Sequence, residues 1–565
     1  MTREKGAIIV QADSTVLLDE RHEDAECARE WLSQFAELIK RPGHLHTYRI
    51  TSLSLWNAAV TGVQTGEIMH VLEQFSRYEI PLRVLEQIRT IMERYGKLRL
   101  EQADDGYLAL RGDAALLEAL QASSLGGMLR QGAAPGELLV RADFRGVLKQ
   151  ELTRLGYPVI DVAGYRHGET LPVELREAAA SGRPFKLRDY QMRAVDLFYC
   201  EGRMDGGSGV LVLPCGAGKT IVGIAALARL GCDTLILTSN ATSVRQWKNE
   251  LMDKTTLVEA DIGEYAGKLK QVRPVTIATY QILTSRRQKT DDYTHMKLFS
   301  ERNWGLIIYD EVHLLPAPVF RMTAELQATR RLGLTATLVR EDGRESDVFS
   351  LIGPKRFEMP WKMLEQRHWI ASVECAEIRV PLAAADKERM AAAAAREQAR
   401  IAAENKQKIE VIKHLLHKHD KKQALVIGQY LRQLHSIADE LDAPLLTGAL
   451  PHDERERLYE SFRSGDTRIL VVSKVANFAV DLPDAAVAIQ VSGSYGSRQE
   501  EAQRIGRILR PKQDDNAAWF YTLVSDETKE TEYARKRQLF LLEQGYRYHI
   551  NNWQAPRESG RAVSP

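Results

Sequence analysis

A glycine-rich segment with a lysine and a threonine lies between two apolar stretches. It reads Pro214-Cys215-Gly216-Ala217-Gly218-Lys219-Thr220. Residues 209–214 have the composition of a buried strand and residues 220–227 that of a helix. Glycines let backbone N–H groups approach phosphate oxygens, and a helix N-terminus adds positive partial charge. Lys219 can reach the outer phosphates and Thr220 can offer its hydroxyl to Mg²⁺, so the segment predicts a nucleotide-phosphate site.

Two adjacent carboxylates follow another apolar stretch, residues 304–309. Asp310 can hold the Mg²⁺ shell, together with Thr220, and Glu311 can polarise an attacking water. His313 lies where it could sense the γ-phosphate. A solvated acidic turn is the alternative, but the spacing from the phosphate site favours catalysis. The two segments together predict hydrolysis of ATP, with ATP and Mg²⁺ as cofactors.

A polar segment at residues 185–191 precedes the phosphate site at a distance suited to an adenine-binding group. An amide side chain donates to and accepts from the adenine edge at the same time, which Gln191 can do. We therefore predict that Gln191, with Arg188 beside it, binds the base. The polar start of a helix is the alternative, and it fits Arg188 better than Gln191.

Hydroxyl and cationic side chains follow several other predicted strands. Such groups at a strand's carboxyl end suit contact with phosphodiesters without base reading, although an ordinary capped helix explains the first two segments equally well. The paired threonines after residue 333 could transmit the nucleotide state to a bound strand. The candidates for DNA binding or coupling are Ser239, Arg245, Trp247, Thr279, Tyr280, Thr335, Thr337, Ser473, Lys474 and Asp481.

An arginine-rich segment near the carboxyl end has helical spacing. Gln503, Arg507 and Arg510 lie on one face at i, i+4 and i+7. Two guanidinium groups on one face can stabilise the charge on a γ-phosphate during its transfer. A surface helix with exposed arginines is the alternative, but Gly506 within a helix is costly unless something approaches closely.

Composition limits the possible classes of protein. The chain has 565 residues, 44% hydrophobic and 27% charged, with a formal net charge of +1. A DNA-binding surface must therefore be local. The five cysteines are scattered without metal-site spacing, which is typical of a reducing compartment. We find no signal peptide and no segment apolar enough to span a bilayer, and so expect a cytoplasmic protein without a membrane partner.

The chain divides by pattern into five segments. Residues 1–95 mix strands and helices, with helical periodicity at 19–40, a helix capped by Ser54, and helices at 67–76 and 81–95. Residues 97–178 begin with a predicted hairpin, 97–100 with 107–110. Residues 183–355 and 356–535 alternate strands with helices, as in doubly wound parallel sheets, and 383–422 is predicted helical. Residues 536–565 form a tail.

The order of these segments resembles that of superfamily 2 helicases. More narrowly, residues 213–219, 334–342, 351–355 and 498–510 resemble the XPB family of DNA repair and transcription helicases. The resemblance covers about residues 97–525. It implies an α/β fold with two tandem RecA-like, doubly wound parallel-sheet domains, of which 183–355 binds ATP. N-terminal α+β accessory domains precede them: residues 97–178 are similar to a damage-recognition domain, and the resemblance implies that 383–405 takes the place of a thumb insertion.

The resemblance also implies a function. It predicts an ATP-dependent, 3′-to-5′ DNA helicase that opens strands in DNA repair, on single-stranded, forked or duplex DNA. Arg340, Glu341 and Asp342 aid strand separation in that family, and Arg504 falls within its arginine segment. Two alternatives stay open. One is a duplex-DNA translocase with little unwinding, and the other is an ATPase switch that regulates a partner such as a nuclease or another repair protein.

Overall fold

The structure is a computed structural model that forms two compact units, Met1–Pro360 and Trp361–Pro565. It describes residues 6–40, 44–103, 106–204, 206–214, 216–285, 294–327, 329–336, 345–473, 485–492, 516–535 and 548–554. Within those ranges, no helix has both the length and the apolar character needed to cross a membrane.

The first sheet is antiparallel and packs against four helices through an apolar core. In spatial order it is β1-β2-β4-β3. The elements in chain order are β1 (Ile8–Val10), β2 (Thr15–Asp19), α1 (Ala25–Phe35), β3 (Glu37–Lys40), β4 (Leu45–Arg49), α2 (Ser52–Val60), α3 (Thr65–Phe75) and α4 (Leu82–Arg94). The helices predicted at 67–76 and 81–95 are confirmed as α3 and α4. The helical prediction for 19–40 is confirmed only over α1, because the chain turns into β3.

The start of α2 corrects one prediction. Thr51, not Ser54, is the N-cap: its backbone is extended and its hydroxyl accepts from the Ser54 N–H at 3.0 Å. The Ser54 hydroxyl accepts from the Thr51 N–H at 2.9 Å, which completes a capping box. The predicted cap was wrong by three residues, because both members of the box are hydroxyl residues.

The second sheet has the order β7-β8-β6-β5-β9. Its elements are β5 (Arg99–Gln102), β6 (Tyr107–Arg111), α5 (Ala114–Gln121), β7 (Leu129–Gln131), β8 (Glu137–Arg141), α6 (Arg145–Arg154) and β9 (Ile160–Asp161). Strands β5 and β6 pair antiparallel, with Leu100 opposite Leu110. The predicted hairpin is thereby confirmed.

The third sheet has eight strands in the order β13-β12-β14-β11-β15-β16-β10-β17. All neighbours are parallel except β12 and β13. The elements are α7 (Asp189–Tyr199), β10 (Ser208–Val212), α8 (Lys219–Leu230), β11 (Thr234–Thr238), α9 (Ala241–Lys254), β12 (Ile262–Ala266), β13 (Leu269–Lys270), β14 (Val275–Thr279), α10 (Tyr280–Leu283), β15 (Leu306–Asp310), α11 (Ala317–Glu325), β16 (Arg330–Thr335), α12 (Glu345–Leu351) and β17 (Lys355–Glu358). Parallel pairing brings the carboxyl ends of β10, β15 and β16 to one edge.

Two contacts attach the preceding layers to this sheet. Asn57 on α2 accepts a hydrogen bond from the backbone N–H of Lys355 at 2.8 Å, at the start of edge strand β17. From the second sheet, the carboxylate of Asp161 pairs with Arg145 at 2.7 Å and with Lys149 at 3.1 Å. Lys149 also donates to Gln327, just after α11, at 3.0 Å. Residues 1–95 therefore contact the larger sheet through α2.

The fourth sheet, in the second unit, is parallel throughout, in the order β20-β21-β19-β22-β23-β18-β24. The elements of this unit are α13 (Trp361–Gln366), β18 (Ser372–Val380), α14 (Ala384–Ala392), α15 (Ala395–Ala403), α16 (Gln407–Lys418), β19 (Ala424–Gly428), α17 (Leu431–Leu441), β20 (Leu445–Leu446), α18 (His452–Ser464), β21 (Ile469–Ser473), β22 (Val487–Gln490), β23 (Ala517–Ser525) and β24 (Tyr548–Asn552). The helical prediction for 383–422 is confirmed as three helices, α14 to α16. The chain is extended at Ala393 and Ala394, which separates the first two.

Candidate active site

The predicted phosphate site is a turn between β10 and the start of α8. Gly216 and Gly218 both have left-handed backbone angles, φ +80° and +76°, which side-chain-bearing residues rarely adopt. A Cβ atom at Gly218 would lie 2.7 Å from the amide nitrogen of Gln191, so the position also lacks space for one. Lys219 and Thr220 are the first two residues of α8, at the end of the helix that favours anions.

The turn is held by α7. The Gln191 side chain is 5% exposed, donates to the Ala217 carbonyl at 3.2 Å and accepts from the Arg188 N–H at 2.9 Å. The Tyr190 hydroxyl donates to the same Ala217 carbonyl at 2.6 Å. The nitrogen of the Gln191 amide thus braces the phosphate turn, while its oxygen caps the start of α7. Binding of adenine by Arg188 and Gln191 stays a prediction.

The residue proposed to activate water faces this turn across the sheet edge. Glu311 Oε1 lies 3.6 Å from Lys219 Nζ, and Glu311 Oε2 lies 3.5 Å from His313 Nδ1. Burial disfavours the charged form of Glu311, but the Lys219 ammonium and His313 outweigh it and hold the pKa of the carboxyl below its usual range. His313 Nδ1 is also 2.7 Å from the hydroxyl of Thr335, at the end of β16. These four residues form one contiguous group.

Asp310 is held by two aromatic side chains. Trp247 Nε1 donates to Asp310 Oδ2 at 2.9 Å, and the Tyr280 hydroxyl donates to the Asp310 carbonyl at 2.9 Å. Burial, and then the neighbouring Glu311 carboxylate, raise the pKa of Asp310. A desolvated carboxylate of this kind gains from a nearby divalent cation. The oxygens of Asp310 and Thr220 are the ligand type that Mg²⁺ prefers, so this donor set fits the ion.

Four residues predicted for DNA binding or coupling lie inside the protein. Trp247 is 1% exposed, Thr279 and Tyr280 are 5% exposed, and Thr335 is fully buried. The hydroxyl of Thr279 caps α10 by accepting from the Ile282 N–H at 3.2 Å, as the alternative interpretation expected. Protein atoms cover these four side chains, and their roles in DNA binding or coupling stay predictions.

The burial of Trp247 had a signal in the sequence. Val244, Trp247 and Leu251 recur at i, i+3 and i+7 and form the buried face of α9. No sequence signal indicates the hydrogen bonds of Trp247 and Tyr280 to Asp310, because 63 and 30 residues separate the partners. Arg245, on α9, is exposed.

Two further DNA-binding candidates lie among the described residues, and the other candidates lie outside them. Ser239 is half-buried after β11, and its hydroxyl accepts from the Asn240 side chain at 3.0 Å. Ser473 ends β21 in the second unit, where its buried hydroxyl has no hydrogen-bond partner among the described residues. The candidates outside the described residues are Cys215, Thr337, Arg340, Glu341, Asp342, Lys474, Asp481, Gln503, Arg504, Arg507 and Arg510.

Comparison with known proteins decides the family. The DNA 3′-5′ helicase XPB of Kineococcus radiotolerans is 51% identical over 547 residues, 96% of each chain. The protein of the same name from Mycobacterium tuberculosis is 51% identical and covers 97% of this chain and 98% of its own. This chain belongs to the XPB family of DNA helicases.

The XPB resemblance read from the sequence is therefore confirmed, as is the fold of tandem RecA-like domains. Residues 364–562 match the ERCC3/RAD25/XPB C-terminal helicase family, 184–340 match the type III restriction enzyme res subunit, and 8–133 match a helicase conserved C-terminal domain. A more distant XPB relative is the yeast (Saccharomyces cerevisiae) general transcription and DNA repair factor IIH helicase/translocase subunit XPB/SSL2. It is 30% identical over 96% of this chain and 71% of its own length. The domain boundaries given above stay predictions.

Proposed function

We propose that this XPB-family chain hydrolyses ATP with Mg²⁺ at the carboxyl edge of its third sheet and uses the energy to open DNA in the 3′-to-5′ direction. The Gly216–Gly218 turn and Lys219 bind the phosphates. Glu311 orients and accepts a proton from the attacking water. Asp310 and Thr220 would hold Mg²⁺, which neutralises phosphate charge when bound.

The observation that carries the proposal is the approach of Lys219 to Glu311. A phosphate-binding ammonium and a carboxylate with a lowered pKa lie 3.6 Å apart, at the ends of β10 and β15. The carboxylate stays ionised near neutral pH, as a general base must. His313 and Thr335 join Glu311 to β16, which supports a role for this pair in sensing the γ-phosphate. Arg507 and Arg510 are proposed to add positive charge to the same phosphates.

DNA as the substrate rests on family membership, and strand opening by Arg340, Glu341 and Asp342 rests on the resemblance of their segment. A role in repair is supported by the name of the yeast relative, which is a repair and transcription factor subunit. That name also includes the word translocase, so movement on duplex DNA with little opening is the second candidate.

The test is the steady-state ATPase rate with no nucleic acid and with single-stranded DNA, forked DNA, blunt duplex DNA or RNA, with Lys219→Ala as background. We expect the largest stimulation by forked or single-stranded DNA, and unwinding of a duplex with a 3′ tail but not of one with a 5′ tail. Equal stimulation by blunt duplex, with triplex displacement and no unwinding, would favour translocation. A rate that no nucleic acid changes would contradict the proposal and favour an ATPase switched by a protein partner.

A further inference from the structure

Asp310 accepts hydrogen bonds from aromatic side chains of two helices, each of which follows one of two neighbouring strands. Trp247 comes from α9, after β11, and Tyr280 begins α10, directly after β14. Trp247 donates to the Asp310 carboxylate and Tyr280 donates to the Asp310 main-chain carbonyl, each at 2.9 Å. Asp310 is therefore fixed from both its side chain and its main chain by elements that lie outside the phosphate turn and its strand.

The Trp247 ring is also wedged against the phosphate-binding helix. A Cβ atom at Gly223 of α8 would lie 2.5 Å from the ring, so glycine is needed there for the ring to fit. The ring consequently touches both α8, which carries Lys219 and Thr220, and β15, which carries Asp310. A movement of α9 must shift the ring against two parts of the ATP site together.

The other side of α9 faces solvent. Arg245, two residues before Trp247, is exposed, and residues two apart lie on different sides of a helix. Arg245 and Ser239, near the amino end of α9, are the residues whose chemistry suits phosphodiester groups. One helix thus presents a predicted DNA-facing side and, across its width, a donor to the predicted Mg²⁺ ligand.

We infer that Trp247 and Tyr280 are positioning residues through which DNA contact at α9 reaches Asp310. The inference rests on the proposed function. An N–H···O or O–H···O bond weakens steeply when its length or angle changes, so a small displacement of either helix alters how Asp310 is held. DNA bound at α9 would thereby set the orientation of the carboxylate in the ATP site.

The test compares Trp247→Phe and Tyr280→Phe with the unchanged chain. Tyr280→Phe keeps the ring and removes only the donor, whereas Trp247→Phe removes the donor and replaces the indole by a smaller aromatic ring. The measured quantities are the ATPase rate with and without DNA, the dissociation constant for DNA from fluorescence anisotropy, and that for ATP. We expect the stimulation by DNA, which is the ratio of the two rates, to fall about tenfold in Trp247→Phe, because that bond is to a carboxylate, and about fivefold in Tyr280→Phe, because that bond is to a main-chain carbonyl. The dissociation constant for DNA should stay within about twofold, because neither side chain reaches the surface.

Matched controls remove an equivalent hydrogen-bonding group elsewhere in the same sheet domain. Trp304 is 3% exposed and its indole donates to the Leu298 carbonyl at 2.9 Å. Tyr265 is 5% exposed and its hydroxyl lies 2.9 Å from His295 Nδ1. Trp304→Phe and Tyr265→Phe should leave the stimulation ratio unchanged.

Three results would overturn the inference. If both rates fall by the same factor, the aromatic residues only orient Asp310 and carry no signal from DNA. If neither rate changes, the two hydrogen bonds have no functional role. If DNA binding weakens in step with the loss of stimulation, the residues belong to the DNA surface itself. Should Trp247→Phe fail the circular dichroism check for folding, Tyr280→Phe, which removes one oxygen atom, decides alone. Failure of the proposed function is distinct, because the unchanged chain would then show no stimulation at all.

Discussion

Replacing Glu311 by glutamine should move ATP binding and ATP turnover in opposite directions. The amide keeps the size of the side chain but cannot accept the proton of the attacking water, so turnover should fall by about 10²- to 10⁴-fold. Binding should instead become tighter. Lys219 is paired with Glu311 at 3.6 Å, and this pairing competes with the phosphates for the same ammonium.

The size of the gain in binding follows from the exposure of the pair. The Lys219 and Glu311 side chains are 12% and 20% exposed, so the pair is only partly shielded from solvent. The net contribution of such a pair is about 1 kcal/mol, which corresponds to roughly fivefold tighter binding of ATP when the carboxylate is removed. Loss of the nearby negative charge should also favour the phosphates, which adds to the gain rather than opposing it.

The assay pairs equilibrium binding of a fluorescent ATP analogue with steady-state hydrolysis in the presence of DNA. Glu264→Gln is the matched control: Glu264, on β12 of the same sheet, is 17% exposed and pairs with Lys248 at 3.0 Å. Glu264→Gln should change neither the binding of ATP nor its hydrolysis. If Glu311→Gln binds ATP more weakly than the unchanged chain, Glu311 supports the nucleotide rather than competing for Lys219, and the reasoning fails. Hydrolysis that persists in Glu311→Gln would refute its assignment as the base.

The remaining predictions concern the contacts that attach the first two sheets. Asp161→Asn should lower the free energy of unfolding in urea by about 3–5 kcal/mol, because Arg145 and Lys149 stay buried without their counter-charge; a loss below about 1 kcal/mol would contradict this. Burial alone would raise the pKa of Asp161, but Lys149 and Arg145 outweigh it and hold the pKa below its ordinary 3.8. The difference in the free energy of unfolding between the variant and the unchanged chain should therefore be fully present above pH 3.8 and shrink as the pH falls below it. Asn57→Ala should cost about 1 kcal/mol and speed hydrogen exchange at the Lys355 amide, whereas unchanged exchange would show that α2 does not hold β17.

The parts that could be predicted from the sequence are those fixed by short segments. The strand, glycine turn and helix around Gly218 are adjacent in the chain, and so are β15 and its two carboxylates, so local pattern was enough. The contacts of Trp247 with Asp310 and with Gly223 join residues that are far apart in sequence, and pairing of parallel strands creates them.

The backbone of Glu311 explains how two adjacent carboxylates come to do different work. Consecutive residues of a strand point to opposite faces, which would carry one of the two side chains away from the site. Glu311 leaves the strand with φ 51° and ψ 54°, in the left-handed region, and this brings its carboxylate to Lys219 while Asp310 stays with Trp247. Such a conformation costs about 1 kcal/mol or more for a residue other than glycine. A strained turn at the point where the two carboxylates separate is what an ATPase needs if one is to hold the metal and the other the water.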